Sequence, residues 1–422
     1  MVSYRAVWGE SFAIGMKRDP RSASKALSPR SCHNRSREGL SNNMTKRKLL
    51  ALDGGGIRGV LSLGILAAIE KVVGQPLGEY FDYIGGTSTG AIIAAGLAKG
   101  LSVQALEKFY LDFGPQMFEE RFLLQRYKSL YSSDPLQKQL KITFGDTTTL
   151  GDMKQPLLLV VTRNWTTDSP WPISSNANAY YNDRGRPDCN LQIPLWQLVR
   201  ASTAAPVYFP PEVLQWDKGD SSKSFVFVDG GVTPYNNPAF LLYRMATLPE
   251  YRLGWETGED KMLIISVGTG SAPKIGPTFE DPDHSIPSQI PGLISALMYG
   301  AEVEQDINCR TVGRCEYGNV IDREIGDMIR RQGDHQVGLK LKERLALSKI
   351  PLSQPLGKQF VYARYNPELT AEGLKDLGVT DYNQTQLLRM DLATPENIEK
   401  LSEVGEAMGR FVDATHFGTF LP

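Results

Sequence analysis

The 422-residue chain has few histidines and cysteines, almost no net charge and no long apolar run. Its formal net charge is −1, so the composition gives no reason to expect a nucleic acid partner. Because no apolar stretch is long enough to cross a bilayer, we expect any membrane contact to be peripheral. The remaining composition, 41% hydrophobic and 22% charged, is typical of a globular protein that can bury a large core.

Cysteines are too sparse to form a disulfide framework or a zinc site. They form no Cys-x-x-Cys pair, and no histidine completes a metal-ligand pattern. We therefore expect free thiols, no bound metal and a reducing, cytoplasmic location. The four residues are Cys32, Cys189, Cys309 and Cys315.

The first 45 residues differ from the rest of the chain. They hold eight Arg and Lys against three acidic residues, with many serines and no apolar periodicity. Such a segment buries too little apolar surface to offset its ordering entropy, so we expect a disordered leader. An organelle transit peptide is the alternative. Met44 precedes the first predicted strand and is a candidate for the natural start.

Residues 82–90 read Asp-Tyr-Ile-Gly-Gly-Thr-Ser-Thr-Gly and precede an apolar, helix-forming run. A strand that turns into a helix through Gly-x-Ser-x-Gly is typical of a nucleophile elbow. Gly86 and Gly90 suit a turn too tight for side chains, and Ser88 would lie at the positive end of the helix. An ordinary Gly/Ser-rich turn is the alternative.

A second strand–loop–helix unit precedes the elbow, with Gly54–Gly59 as its loop. The loop matches Gly-x-Gly-x-x-Gly, the dinucleotide-binding fingerprint. That fingerprint requires an acidic residue about 20 positions further on, at the end of a second strand. Asp82 stands near that distance but begins a strand instead of ending one. Nucleotide binding on this loop is therefore kept as an alternative.

The same loop also fits an oxyanion hole. Consecutive Gly54, Gly55 and Gly56 let backbone N–H groups converge on one point without side chains. Such donors would stabilise the negative oxygen of a tetrahedral intermediate. Arg58 would add positive charge or orient the loop, and an exposed arginine at a helix start is the alternative.

Asp229 is the candidate partner of Ser88. The predicted strand Phe225–Val228 ends at Asp229-Gly-Gly231, and α/β folds place reactive groups at the carboxyl ends of strands. Asp229 would accept the Ser88 proton directly, because desolvation raises the basicity of a carboxylate. An ordinary Asp-Gly-Gly turn is the alternative.

A serine hydrolase usually has a histidine between its serine and its acidic residue, but histidine is scarce in this chain. The chain has His33, His284, His335 and His416, none in a context that marks it as catalytic. A conventional order Ser88, Asp229 and His335 remains open, because triads are recognised by geometry and not by sequence position.

The segment Phe118–Tyr131 mixes aromatic residues with Arg121, Arg126 and Lys128. This composition suits a lid or a surface that contacts lipid headgroups. We nevertheless prefer an ordinary helix with its apolar face on the core, which is the general pattern of surface helices.

Three blocks resemble, in order and spacing, the signature motifs of bacterial-type patatin-like phospholipases. They are Asp53–Gly59, Gly86–Gly90 and Asp229–Gly231, and the segments Ala201–Pro210 and Phe144–Leu150 are similar to further family segments. The resemblance implies an α/β fold, a three-layer α/β/α sandwich with a mainly parallel central sheet. It also implies hydrolysis of lipid acyl esters without metal or organic cofactor.

Carried over by position, the resemblance makes Ser88 the nucleophile and Asp229 its base in a Ser–Asp dyad. Gly54, Gly55, Gly56 and Arg58 would form the oxyanion hole. The expected partner is a lipid substrate, with peripheral contact to a membrane or micelle surface. Two rival classes remain. One is a nucleotide-binding or oxidoreductase domain built on the glycine loop, and the other is a storage or interaction protein that keeps the fold without using it.

The predicted organisation is a leader over residues 1–45 followed by one hydrolase domain over 46–422. Within that domain we expect a catalytic core over 47–270 and a helical C-terminal portion over 290–422.

Overall fold

A nine-stranded sheet, seen here in a computed structural model, runs through the centre of the unit Met44–Pro422. The structure describes residues 46–117, 129, 131–216, 219–272, 286–321, 326–329 and 357–422. The predicted leader lies outside these residues.

The sheet is mixed, with parallel pairs in the majority. Its strands are β1 (Arg47–Leu52), β2 (Tyr83–Thr87), β3 (Leu157–Asn164), β4 (Ser169–Ser174), β5 (Glu212–Gln215), β6 (Ser224–Asp229), β7 (Met262–Val267), β8 (Arg314–Tyr317) and β9 (Val361–Tyr365). Their order is β5-β6-β3-β2-β1-β7-β9-β8, and β4 also pairs with β3. All pairs from β3 through β2, β1, β7 and β9 to β8 are parallel, whereas β4 and β6 run antiparallel to β3, and β5 to β6.

The helices are α1 (Gly59–Val73), α2 (Leu77–Tyr80), α3 (Thr89–Ala98), α4 (Val103–Met117), α5 (Asp134–Phe144), α6 (Leu195–Ser202), α7 (Ala239–Thr247), α8 (Ile286–Val312), α9 (Ala371–Asp376), α10 (Gln384–Leu387) and α11 (Pro395–Gly409). Within the described residues, none of them is both long and apolar enough to cross a membrane.

Helices cover the sheet on both faces. In β1, Leu50 and Leu52 belong to one hydrophobic core, whereas Leu49 and Ala51 belong to another. Successive side chains of a strand point to opposite faces, so each core lies on its own side of the sheet. The first core includes α1, α3, α4, α5, α6 and α11, and the second includes α7 and part of α8. The predicted three-layer α/β/α sandwich is thereby confirmed.

One strand forms where the sequence predicts a loop. Residues 163–190 are polar and rich in Pro and Asn, yet Ser169–Ser174 pairs with β3 in antiparallel register. This strand contains Pro170 and Pro172, which lack the N–H group that a second neighbour would require. In the described sheet β4 pairs with β3 alone, and an edge position tolerates proline.

The sequence analysis expects a helical C-terminal portion, but this portion also contains strands. Its strands β8 and β9 extend the central sheet, and β9 pairs in parallel with β7 from the predicted core. Part of the chain beyond residue 290 therefore belongs to the same sheet as the motifs of the predicted core. Its strand Val361–Tyr365 is buried along its whole length.

Helices α1 and α11 touch through glycines. A Cβ at Gly64 would lie 2.7 Å from the carbonyl carbon of Gly405, and a Cβ at Gly405 would collide with the carbonyl oxygen of Leu61. The two backbones thus approach as closely as only glycine permits. Because α1 starts directly after the glycine loop, this contact ties the C-terminal helix to the helix that supports the loop.

We predict that Gly405→Ala lowers the free energy of unfolding by about 1–3 kcal/mol, because the new methyl group overpacks a backbone contact. The matched control is Gly300→Ala in α8, where an added Cβ meets nothing within 4 Å. That variant should be neutral or up to about 1 kcal/mol more stable. Urea unfolding of both variants measures the difference, and equal midpoints would contradict the close contact.

Candidate active site

Ser88 lies in the sharp turn between β2 and α3. Its backbone has φ 54° and ψ −121°, a conformation that costs a non-glycine residue about 1–3 kcal/mol. Side chains on either flank would prevent this turn. A Cβ at Gly86 would collide with the carbonyl oxygen of Gly90, and a Cβ at Gly90 with that of Leu52. The local geometry is therefore that of a strand–turn–helix elbow with the serine at its tip.

Asp229 meets Ser88 because two strands end at neighbouring positions of β3. Thr87, the last residue of β2, lies opposite Val161, and Asp229, the last residue of β6, lies opposite Thr162. This register joins residues 141 positions apart in the chain. The hydroxyl of Ser88 donates a hydrogen bond of 2.7 Å to Oδ2 of Asp229.

The environment of Asp229 makes it a stronger base than an exposed aspartate. Its side chain is buried, and Oδ1 accepts a hydrogen bond of 2.7 Å from the N–H of Gly231. Burial raises the pKa of Asp229 to about 6, whereas the Ser88 hydroxyl, the Gly231 N–H and the charge of Arg200 oppose that rise. The carboxyl is thus ionised at neutral pH and able to accept a proton.

Among the described residues that line the cleft at Ser88, none is a histidine. His416 lies elsewhere, where its Nδ1 shares a hydrogen bond of 2.8 Å with the Tyr365 hydroxyl, and burial lowers the pKa of its imidazole. His33, His284 and His335 lie outside the described residues. The alternative triad through His335 therefore stays a prediction.

The glycine loop lies directly against the serine. A Cβ at Gly54 would lie 3.3 Å from the Cβ of Ser88. The N–H of Gly54 is already engaged, because it donates to the carbonyl oxygen of Asn236 at 3.2 Å. Within the described residues, the N–H groups of Gly55 and Gly56 have no acceptor, and both glycines line the cleft. These two are the donors available to an oxyanion.

Arg58 holds the glycine loop in place and does not line the cleft. Its Nη1 donates to the carbonyl oxygen of Gly270 at 3.1 Å, and it is not among the residues that line the cleft. The neighbouring residue of the loop, Ile57, contacts the C-terminal portion. Its N–H donates a hydrogen bond of 2.9 Å to the carbonyl oxygen of Met390. Of the two roles considered for Arg58, the geometry favours orientation of the loop.

Ser202 holds the backbone of the nucleophile. Its hydroxyl oxygen accepts the N–H of Ser88 at 2.9 Å and donates to the carbonyl oxygen of Val161 at 2.7 Å. The donation fixes the hydroxyl rotor, so its lone pairs face Ser88. The strained turn is thus tied to the same residue of β3 that lies opposite the end of β2.

Behind the glycine loop lies a buried layer of charged side chains. Arg364 of β9 contacts both carboxylate oxygens of Asp53, at 2.6 and 3.3 Å, and Asp306 of α8 binds Arg310 through both of its oxygens. Between these pairs, burial and the neighbouring Asp53 raise the pKa of Glu302 to about 7. Glu302, Asp306, Arg310 and Arg364 also line a second, polar cavity.

The cleft at Ser88 is mostly apolar and encloses about 800 Å³, part of it open to solvent. Its walls come from both the predicted core and the C-terminal portion. Apolar lining residues include Ile92, Met117, Leu136, Phe209, Met298 and Met390. Such a lining suits a long hydrocarbon chain, because it removes apolar surface from water.

Most of the segment Phe118–Tyr131, considered as a lid or a core-facing helix, lies outside the described residues. At its end, the Tyr131 hydroxyl donates to a carboxylate oxygen of Asp391 at 2.8 Å, and its ring is stacked on Tyr208 with centroids 6.2 Å apart. Tyr208 and Asp391 line the cleft, so this end of the segment joins the cleft wall to the C-terminal portion.

Sequence reasoning did not assign several residues that support the site. Asn236 stands in an Asn-Asn-Pro sequence and Ser202 in the segment Ala201–Pro210, and neither pattern indicates a contact with the site. Arg364, Glu302 and Met390 carried no local signal, because their contacts join distant parts of the chain.

Comparisons with known proteins now decide the family. The family model for patatin-like phospholipase matches residues 50–243. A cUMP-AMP-activated phospholipase of Escherichia coli is 31% identical over 230 residues, which cover 54% of this chain and 67% of that protein. The chain belongs to the patatin-like phospholipases. The resemblance noted in the sequence is thereby confirmed.

Other members of the family are similar over the same region. A cGAMP-activated phospholipase of Vibrio cholerae is 34% identical over 246 residues, 53% of this chain and 64% of that protein. The rat 85/88 kDa calcium-independent phospholipase A2 is 31% identical over 55% of this chain but only 28% of its own length. The chain therefore spans less than two thirds of several relatives that it matches.

Among solved structures, human GIVD cytosolic phospholipase A2 is similar with a TM-score of 0.41 and 13% identity, over 90% of this chain and 61% of that one. A similarity of this degree carries no argument about the site.

We predict that Ser202→Ala slows labelling of Ser88 by a fluorophosphonate at least about tenfold, because the turn loses its fixed acceptor. The matched control is Ser175→Ala. Its buried hydroxyl accepts the N–H of Leu158 at 2.8 Å, away from the cleft lining.

Both alanine variants leave a buried N–H unpaired and should lose about 1–3 kcal/mol of stability. Only Ser202→Ala should slow the labelling. Equal labelling rates in the two folded variants would contradict a role for Ser202 at the nucleophile.

Proposed function

We propose that this protein hydrolyses fatty-acyl ester bonds of phospholipids or related lipids through an acyl-enzyme on Ser88. The observation that carries the proposal is the 2.7 Å hydrogen bond from Ser88 to Asp229 at the floor of an apolar cleft. Asp229 is the general base of a Ser–Asp dyad, and no metal or organic cofactor enters the proposed reaction.

In the first half-reaction, the Ser88 oxygen attacks the ester carbonyl as its proton moves to Asp229. The carbonyl oxygen becomes an oxyanion, and the N–H groups of Gly55 and Gly56 stabilise it. Protonated Asp229 then gives its proton to the departing alkoxide, which leaves as the alcohol and leaves the acyl group on Ser88.

In the second half-reaction, a water molecule takes the place of the leaving alcohol. Asp229, ionised again, accepts a proton from the water as the oxygen attacks the acyl carbonyl. The same glycine donors stabilise the second oxyanion. Its collapse releases the fatty acid, and the proton on Asp229 returns to Ser88.

The proposed substrate class follows from the lining of the cleft. Apolar side chains such as Ile92, Leu136 and Phe209 favour an acyl chain over a polar substrate. We propose that the protein works on lipids at a membrane or micelle surface. The buried free thiols Cys189, Cys309 and Cys315 are consistent with a cytoplasmic location.

Replacement of the dyad tests the function directly. With a panel of mixed lipids and products read by mass, we expect fatty acid release by the wild type and none above background by Ser88→Ala. Asp229→Asn should lower the rate about 10²–10⁴-fold, because it removes the general base.

His416→Ala serves as the control and should keep full activity, since His416 lies away from the cleft. A fully active Ser88→Ala variant would exclude the acyl-enzyme. Loss of activity in a folded His335→Ala variant would favour the conventional triad instead.

The pKa of Asp229 predicts the acid limb of the pH–rate profile. Its ionised form accepts the proton, so kcat/KM should fall about tenfold per pH unit below pH 6. A short-chain ester measured from pH 4 to 9 gives the profile. Glu302→Gln removes a nearby carboxyl whose pKa is also raised, and this variant should keep the same limb.

Acid unfolding caused by Asp229 does not explain a loss of activity below pH 6. Because its folded pKa is raised above the unfolded value of 3.8, lowering the pH from 6 to 4 stabilises the fold through this group. A limb centred near pH 4 in the folded protein would contradict Asp229 as the base.

A further inference from the structure

Asn236 lies between the two loops that form the site. Its backbone carbonyl accepts the N–H of Gly54 at 3.2 Å, and its Nδ2 lies 3.4 Å from the carbonyl oxygen of the same glycine. On the other side, a Cβ at Gly231 would lie 3.0 Å from Oδ1 of Asn236. This fully buried side chain thus separates the glycine loop from the loop that follows Asp229.

Glu302 holds the amide of Asn236. Its Oε1 accepts a hydrogen bond of 2.6 Å from Nδ2, the shorter of the two contacts that this nitrogen makes. Glu302 lies on α8 and is 7% exposed, and its other oxygen is 4.0 Å from Arg364. Because the amide is planar, fixing Nδ2 also fixes the orientation of Oδ1 between the two loops.

From these contacts we infer that Asn236 and Glu302 are a positioning pair that sets the glycine loop against Ser88. The inference rests on the proposed function, since it concerns the same oxyanion hole. Neither residue is proposed to touch the substrate. They act through Gly54, whose N–H and carbonyl are both engaged, so that the following N–H groups of Gly55 and Gly56 face the cleft.

The loop needs such an external support because it has few bonds of its own. Besides Asn236, the Gly54 carbonyl receives the Thr269 hydroxyl at 2.9 Å. Gly55 and Gly56 lack side chains that would fix their own direction. A displacement of the donors by about 1 Å is enough to cost about 10²-fold in rate.

The test compares Glu302→Ala with Glu302→Gln at pH 8, where the carboxyl of the wild type is ionised. Alanine removes the acceptor, so we expect kcat on a lipid ester to fall about 10- to 100-fold while KM stays within about twofold. Glutamine keeps a side-chain oxygen that accepts from Asn236, so it should retain kcat to within about threefold.

The matched control is Glu368→Ala. Glu368 lines the same second cavity but accepts a hydrogen bond from Thr370, not from Asn236. A role of the cavity charge alone would make the two alanine variants equal. The inference expects full kcat for Glu368→Ala and a reduced kcat for Glu302→Ala, with both variants folded by circular dichroism.

Fluorophosphonate labelling of Ser88 gives a second readout that needs no lipid turnover. Glu302→Ala should slow it, because the phosphonyl oxygen occupies the oxyanion hole, whereas affinity for an ether-linked lipid analogue should not change. If the wild type labels but hydrolyses no lipid ester, the proposed substrate fails and the positioning pair remains supported by the labelling rates.

Three results would overturn the inference: wild-type kcat in a folded Glu302→Ala variant, a change confined to KM, or an equal loss in Glu302→Gln. If Ser88 of the wild type neither labels nor turns over an ester, the proposed function fails and the pair fails with it. Should Glu302→Ala not fold, Asn236→Ala takes its place with the same expected split between kcat and KM.

Discussion

The hydrogen bond between Ser88 and Asp229 depends on the register of two strands against β3. Thr87 and Asp229 lie opposite neighbouring residues of that strand, Val161 and Thr162. A slip of one residue in either pair would turn each side chain to the opposite face of the sheet. The geometry of the proposed dyad is therefore a consequence of strand pairing, and the apolar cores on both faces hold it in place.

Around that hydrogen bond, the groups proposed to stabilise the oxyanion are backbone N–H groups and not side chains. The proposed oxyanion donors are the N–H groups of Gly55 and Gly56. The turn at Ser88 requires Gly86 and Gly90, because side chains there would collide with the backbone. Backbone groups have fixed positions, so they need no reorganisation during the reaction. They must, however, be held from outside, which is why buried polar side chains such as Ser202 and Asn236 surround them.

The sequence was sufficient to predict the local features of the fold and the candidate site. The strand before Gly54, the turn at Ser88 and the carboxylate at the end of β6 each have a signal within about ten residues. β4 was missed because Pro170 and Pro172 argue against a strand unless its edge position is known. The contact from Arg364 to Asp53 was missed because it joins residues 311 positions apart, and no local pattern indicates such a pairing.

Contacts between distant residues also join the two parts of the domain that the sequence analysis divides near residue 270. The family model ends at residue 243, but two contacts to the glycine loop come from beyond it. Arg364 forms an ion pair with Asp53, and the carbonyl of Met390 accepts a hydrogen bond from the N–H of Ile57. Without Arg364, the buried carboxylate of Asp53 would lose its ion-pair partner, which costs about 3–5 kcal/mol. A chain that carried only the matched residues would thus keep the proposed dyad but lose part of the support of the glycine loop. The C-terminal portion therefore contributes to the proposed site, because Arg364 and the carbonyl of Met390 hold the glycine loop together with Asn236, Thr269 and Gly270 from the predicted core.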